Sequence, residues 1–238
     1  MEKRFAVMRQ QIEPSPSIKN SAKKRCHHSL LIADYKTKLQ LVPASDPGTC
    51  TWVSDHSKYR KWSSGKREPI IWILGGPGSG KTVLSAYLIK EFRKDAERTL
   101  VTHFHCDKDQ GFLSSTEAIL SSLLHQILAN NSHLIGHAVK EFETRPRGFS
   151  DSLGTLCTVL ENILQDRDCP KVCCVLDALD ESSNPHALLK ELSMHYDTHI
   201  KDHRRFIVDS PIPFLITSQP GCNFEKYASL PRFSSIID

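Results

Sequence analysis

An α/β fold, a mostly parallel sheet with helices on both faces, is what this 238-residue chain predicts, and two observations carry it. The first is Gly75-Gly76-Pro77-Gly78-Ser79-Gly80-Lys81-Thr82, a G-x-x-x-x-G-K-[ST] phosphate-binding loop set between the apolar, β-rich run Pro69-Ile70-Ile71-Trp72-Ile73-Leu74 and a helical pattern. The second is alternation along the rest of the chain. Strand runs at Ile70–Leu74, Leu100–Cys106, Val172–Leu176 and Phe214–Ser218 alternate with helical patterns at Thr82–Arg93, Ser115–Ala129, Leu134–Glu143, Ser152–Gln165 and Pro185–His195. Short strands that are apolar throughout are buried on both faces, and strands separated by helices pair in parallel. Arg205–Val208 reads as irregular chain or one more short strand.

Ahead of the first strand, residues 1–68 hold 14 Lys and Arg against 6 Asp and Glu, a net of +8, while the remainder nets −4. Lys23-Lys24-Arg25 is too short a run, and too free of interleaved aromatic residues or glycines, for a nucleic-acid surface. The expectation is a solvated basic arm over residues 1–47, partly helical or disordered, before a nucleotide-binding domain over 48–238. No stretch approaches 18 apolar residues, so no membrane span is expected. Met1-Glu2-Lys3-Arg4 leads into no apolar signal core, which implies an intracellular, cytoplasmic protein. The eight cysteines form no C-x-x-C pair, and Cys173 and Cys174 lie inside an apolar run, the pattern of reduced core thiols. In His103-Phe104-His105-Cys106, strand alternation sends the histidines to one face and the cysteine to the other, so no metal is assigned there.

The loop's residue types follow from its ligand. A triphosphate needs successive backbone N–H groups aimed at it from the positive end of a helix, and glycines let the backbone approach that closely. Gly75, Gly78 and Gly80 supply that freedom, and the candidate nucleotide contacts run through Gly75, Gly76, Pro77, Gly78, Ser79, Gly80, Lys81, Thr82 and Val83. Lys81 would reach the terminal phosphates, and the Thr82 hydroxyl would ligate magnesium. A second magnesium residue is Asp177, at the end of Val172-Cys173-Cys174-Val175-Leu176 and held at the carboxyl end of a parallel strand, acting directly or through water. Asp180 and Glu181 follow three and four residues on, where one of them would orient or deprotonate the attacking water. Thr217, Ser218 and Gln219 end the last strand run and are expected to face the same site.

The set Gly75–Thr82, Leu176-Asp177-Ala178-Leu179-Asp180-Glu181 and Leu215-Ile216-Thr217-Ser218-Gln219-Pro220 resembles the NACHT branch of the STAND NTPases. More narrowly, it is similar to the nephrocystin-like NACHT domains of fungal ankyrin- or WD-repeat proteins related to vegetative-incompatibility proteins. Gly48-Thr49-Cys50-Thr51-Trp52, Trp62, Phe104-His105-Cys106-Asp107-Lys108-Asp109, Leu123-Leu124-His125-Gln126-Ile127-Leu128 and Glu141-Phe142-Glu143-Thr144-Arg145 extend the likeness over roughly Leu39 to Leu230. The resemblance implies ATP or GTP with magnesium at Lys81, Thr82 and Asp177, the acidic pair Asp180 and Glu181 in hydrolysis, and a regulatory switch with protein partners or a second copy of itself. Where that family carries an arginine after Thr-Ser, this chain has Gln219, which donates a hydrogen bond but cannot balance phosphoryl charge. Binding is therefore expected, with slow or absent hydrolysis; the alternative is a degenerate scaffold acting by protein–protein interaction without turnover. Family members continue into helical, winged-helix and repeat modules, whereas only Gly221–Asp238 follows the last motif and no 20–50-residue period recurs. A naturally short protein, a truncated product and one piece of an assembly are equally compatible with that.

Overall fold

A computed structural model describes residues 16–64, 70–94, 99–201, 213–221 and 233–237. Its one sheet contains β1 (Ile70–Leu74), β2 (Thr99–His105), β3 (Lys171–Asp177), β4 (Phe214–Ser218) and β5 (Phe233–Ile237). They stand in the order β2-β3-β4-β1-β5, and every neighbouring pair is parallel. The four expected strands are present within a residue or so of their expected limits. The strand that follows the phosphate loop's own strand in space is β4, which lies between β1 and β3, so Asp177 reaches the loop across an intervening strand.

Helices are α1 (Pro16–Ser29), α2 (Tyr35–Leu41), α3 (Trp52–Asp55), α4 (Ser57–Ser63), α5 (Lys81–Arg93), α6 (Thr116–Asn130), α7 (Gly136–Thr144), α8 (Leu153–Leu164) and α9 (Pro185–Lys201). Successive strand side chains point to opposite faces, and the two cores follow that alternation. Ile71, Ile73, Cys173, Val175 and Leu215 pack with Leu84, Leu88 and Ile89 of α5 and with Val53, Tyr59 and Trp62 of α3 and α4. Ile70, Trp72, Cys174, Leu176, Phe214 and Ile216 pack on the other face with α6, α8 and α9. The α/β class with helices on both faces is borne out.

Helix α6 is the centre of the second core: apart from Glu117, every residue from Thr116 to Leu128 is buried. The Ser115 hydroxyl accepts from the Ala118 N–H at its start, an N-cap that satisfies one of the helix's free donors. A helix buried all round must be covered on its far side, and α1, α8 and α9 do so. Here the structure departs from the expectation of a solvated arm. Helix α1 is helical as allowed for, but Ala22, Cys26 and Leu30 are buried, as is Tyr35 at the start of α2. Short, polar helices escape notice in sequence because their apolar positions are few; their burial is set by the α6 surface they cover.

The segment expected as a single helix from Leu134 begins instead as a 3₁₀ turn, Ser132–Ile135, before α7. Strand β5 was not expected, since Phe233-Ser234-Ser235-Ile236-Ile237 mixes serines with apolar residues and is placed by pairing with β1. Arg205–Val208 and Cys222 lie outside the described residues. Among the described residues no helix is long and apolar enough to cross a membrane.

Candidate functional site

The carboxyl ends of β1, β3 and β4 meet at one place, and each contributes part of the site. After β1, the Gly75 N–H donates to the Ser218 carbonyl at 3.2 Å, which ties the loop's first residue to the end of β4. Gly75 does not need a positive φ; a methyl group there would stand 2.5 Å from Ser79 Oγ, so its role is close approach. Gly78 (φ 74°) and Gly80 (φ 84°) take the left-handed conformation that glycine tolerates, and Gly80 delivers the chain into α5. Pro77 through Gly80 are exposed, and a methyl on Gly76, Gly78 or Gly80 would meet nothing within 4 Å, so the loop is open on its outer side. Lys81 Nζ donates to the carbonyls of Gly75 and Gly76, each at 2.7 Å, holding the ammonium across the loop.

Asp177 closes β3 and is 4% exposed. Its Oδ1 accepts from Ser85 Oγ at 2.8 Å, on α5, and from Thr217 Oγ1 at 2.6 Å, on β4. Its Oδ2 is paired with His105 Nδ1 at 2.6 Å. Burial pushes the Asp177 carboxyl up, but the hydrogen bonds from His105 and Thr217, the His105 charge and the Thr82 hydroxyl outweigh it, so the carboxyl is held below its ordinary range. His105 moves the other way: its bond to Asp177 raises it against the opposing effect of burial. Thr217 Oγ1 also accepts from the Ala178 N–H at 3.0 Å. Ala178 sits at φ 53°, left-handed for a residue with a side chain, a local strain held by its neighbours where the chain turns away from the carboxylate.

Asp180 Oδ1 accepts from the Gln219 N–H at 3.1 Å, joining the turns after β3 and β4. The Glu181 N–H donates to the Ala178 carbonyl at 2.9 Å, and its carboxylate has no hydrogen-bond or ion-pair partner among the described residues. Ser218, expected at the site, faces the other way: its hydroxyl accepts from Trp72 Nε1 at 2.9 Å on the α6 side of the sheet. The structure thus brings Gly75–Thr82, Asp177, Thr217, Asp180 and Gln219 together, with Glu181 beside them. Ser85 and His105 were missed. Thr82 and Ser85 are three apart on α5 and so share a face, a readable signal; His105 is opposite Asp177 only because the β2–β3 register makes it so.

The family model described as nephrocystin 3, N-terminal, matches residues 48–219, which takes in this whole constellation. The chain belongs to that family. The likeness to nephrocystin-like NACHT domains drawn from the motifs is borne out. Vegetative incompatibility protein HET-E-1 of Podospora anserina is 24% identical over 208 residues, 84% of this chain. The chain spans 15% of that relative's length. Among solved structures, the Aeropyrum pernix ORC2 protein in its ADPNP–ADP complexes is 17% identical, over 82% of this chain and 49% of that one, with a TM-score of 0.46. Drosophila ORC bound to DNA is 11% identical over 92% of this chain and 33% of that one, at 0.41.

Proposed function

We propose that this chain is a nucleotide-binding switch domain that takes ATP or GTP with magnesium and turns it over slowly or not at all. The observation that carries the reading is the convergence of Thr82 and Asp177, from the loop helix and from β3, at the mouth of a loop whose glycines leave it open. An ionised carboxylate and a hydroxyl are the hard oxygen donors magnesium prefers, so the residues present fit that ion. Bound magnesium supplies charge neutralisation on the phosphates. Backbone N–H groups of Gly78 to Lys81 would cradle the phosphates at the N-terminus of α5, Lys81 exchanging the Gly75 and Gly76 carbonyls for phosphate oxygens. Thr82 and Asp177 would hold the ion. Of the acidic pair, Asp180 braces the Gln219 turn, which leaves Glu181 to orient a water. Gln219 offers an amide where charge balance calls for a cation.

A role in signalling, through protein partners or self-association in the cytoplasm, is proposed for this chain as well, supported by its membership of the nephrocystin-like family. The scaffold reading keeps one observation in its favour, the Lys81 ammonium already satisfied by its own loop. Calorimetric titration of ATP and of GTP, with and without magnesium, discriminates the two. Magnesium-dependent binding that vanishes in Lys81→Ala is the expected result, and the same affinity in that variant removes the loop from consideration as the site.

A further inference from the structure

We infer that His105 is the residue that positions Asp177 for magnesium: its Nδ1 pins Oδ2 and so fixes the plane of the carboxylate. The inference rests on the nucleotide-and-magnesium reading above. Oδ1 has two donors, Ser85 and Thr217. These hold Oδ1, and the Thr82 hydroxyl acts on the carboxylate more weakly than His105 or Thr217 does. His105 Nδ1, 2.6 Å from Oδ2, is the partner that the structure gives the other oxygen, and with both oxygens engaged the orientation is over-determined. Partners of a ligating carboxylate set metal affinity in this way, and losing one typically costs about 10–100-fold.

His105 is itself firmly held. It is the last residue of β2, aligned with Asp177 in a seven-residue parallel register, and the next N–H, of Cys106, donates to the Asp177 carbonyl at 2.9 Å. Two residues on, Asp107 forms an ion pair with Lys38 of α2, which clamps the end of the strand from outside. Backbone register and an ion pair therefore bring the imidazole to the carboxylate, where a flexible surface histidine would be only a chance neighbour. The side chain is about a quarter exposed, at 28%, and lines a cavity with Lys38, Asp107 and Ser114.

Two substitutions separate a donor from a packing role. His105→Asn keeps an N–H where Nδ1 stands, whereas His105→Phe keeps the ring and loses the donor. In the full chain, Mn2+ affinity is read by electron paramagnetic resonance with the β,γ-imido analogues of ATP and GTP present, and metal-free affinity for the analogues by calorimetry. The expected result is a loss of about 10–100-fold in metal affinity for His105→Phe, near-parental affinity for His105→Asn, and unchanged metal-free affinity in both. If His105→Phe does not fold, His105→Ala takes its place. Parental metal affinity without the donor, or a loss as large in His105→Asn, overturns the role of His105 while leaving the nucleotide reading intact. A parent chain that binds neither analogue overturns both.

Discussion

Gly76 and Gly80 share a loop, but their backbones ask different things of them. Gly80 lies at φ 84°, and a left-handed conformation costs a side-chain-bearing residue about 1–2 kcal/mol. Gly80→Ala should therefore lower stability by about that much, read as a fall in the thermal midpoint. Gly76 has an ordinary φ with open space around it, so Gly76→Ala should leave the midpoint within about 0.5 kcal/mol of the parent while weakening nucleotide binding, because its methyl group projects from the cradle. Equal stability losses in both variants would show that loop conformation is not what distinguishes them. Gln219 gives a second test at this scale. Gln219→Arg places a cation beside the turn that Asp180 braces, and phosphate release should rise; no gain locates the limit on turnover elsewhere.

At the scale of elements, α1 decides how α6 is sealed. Leu30, just past the end of α1, is fully buried, and Cys26 with it. Deleting a buried leucine side chain costs about 2–5 kcal/mol, so Leu30→Ala should lower the denaturation midpoint by that order. A solvated arm would instead give a change within about 0.5 kcal/mol. Polar contacts complete the seal. His27 stacks on His125 with ring centroids 4.1 Å apart and donates from Nε2 to the His125 carbonyl at 3.2 Å, while the Tyr35 hydroxyl bonds His125 Nδ1 at 2.9 Å. Gln126 bonds both the N–H and the carbonyl of His103, satisfying backbone groups on the outer edge of β2 that would otherwise invite another strand.

Across the whole molecule these buried imidazoles give stability a pH dependence. Burial foremost, then Arg93, pushes His103 down to about 4, and burial, then His27, does the same for His125. Unfolded histidine titrates at about 6.5, so between those values the unfolded chain binds more protons and stability falls as pH falls. The contribution is present above about pH 6.5 and lost as pH drops through 4. His105, raised by Asp177, works in the opposite sense: its contribution is full below about pH 6.5 and is lost as pH rises through its folded value, so on acidification from pH 7 this single group offsets part of the loss at the two buried imidazoles. Thermal midpoints should decrease from pH 7 to pH 5; a flat or rising profile would falsify the assignment of neutral, buried His103 and His125. What the sequence determined by itself was local and periodic. The G-x-x-x-x-G-K-[ST] spacing, the apolar run ending in Asp177 and the strand–helix alternation are signals within a few residues, and chain connectivity alone makes them readable. Tertiary structure decided whatever depended on which surfaces meet. The insertion of β4 between β1 and β3 turns Thr217 to Asp177 and Ser218 to Trp72, the β2–β3 register brings His105 to Asp177, pairing with β1 makes a strand of Phe233–Ile237, and the need to cover α6 buries a basic, weakly patterned α1, because burial belongs to the assembled core and not to any one segment.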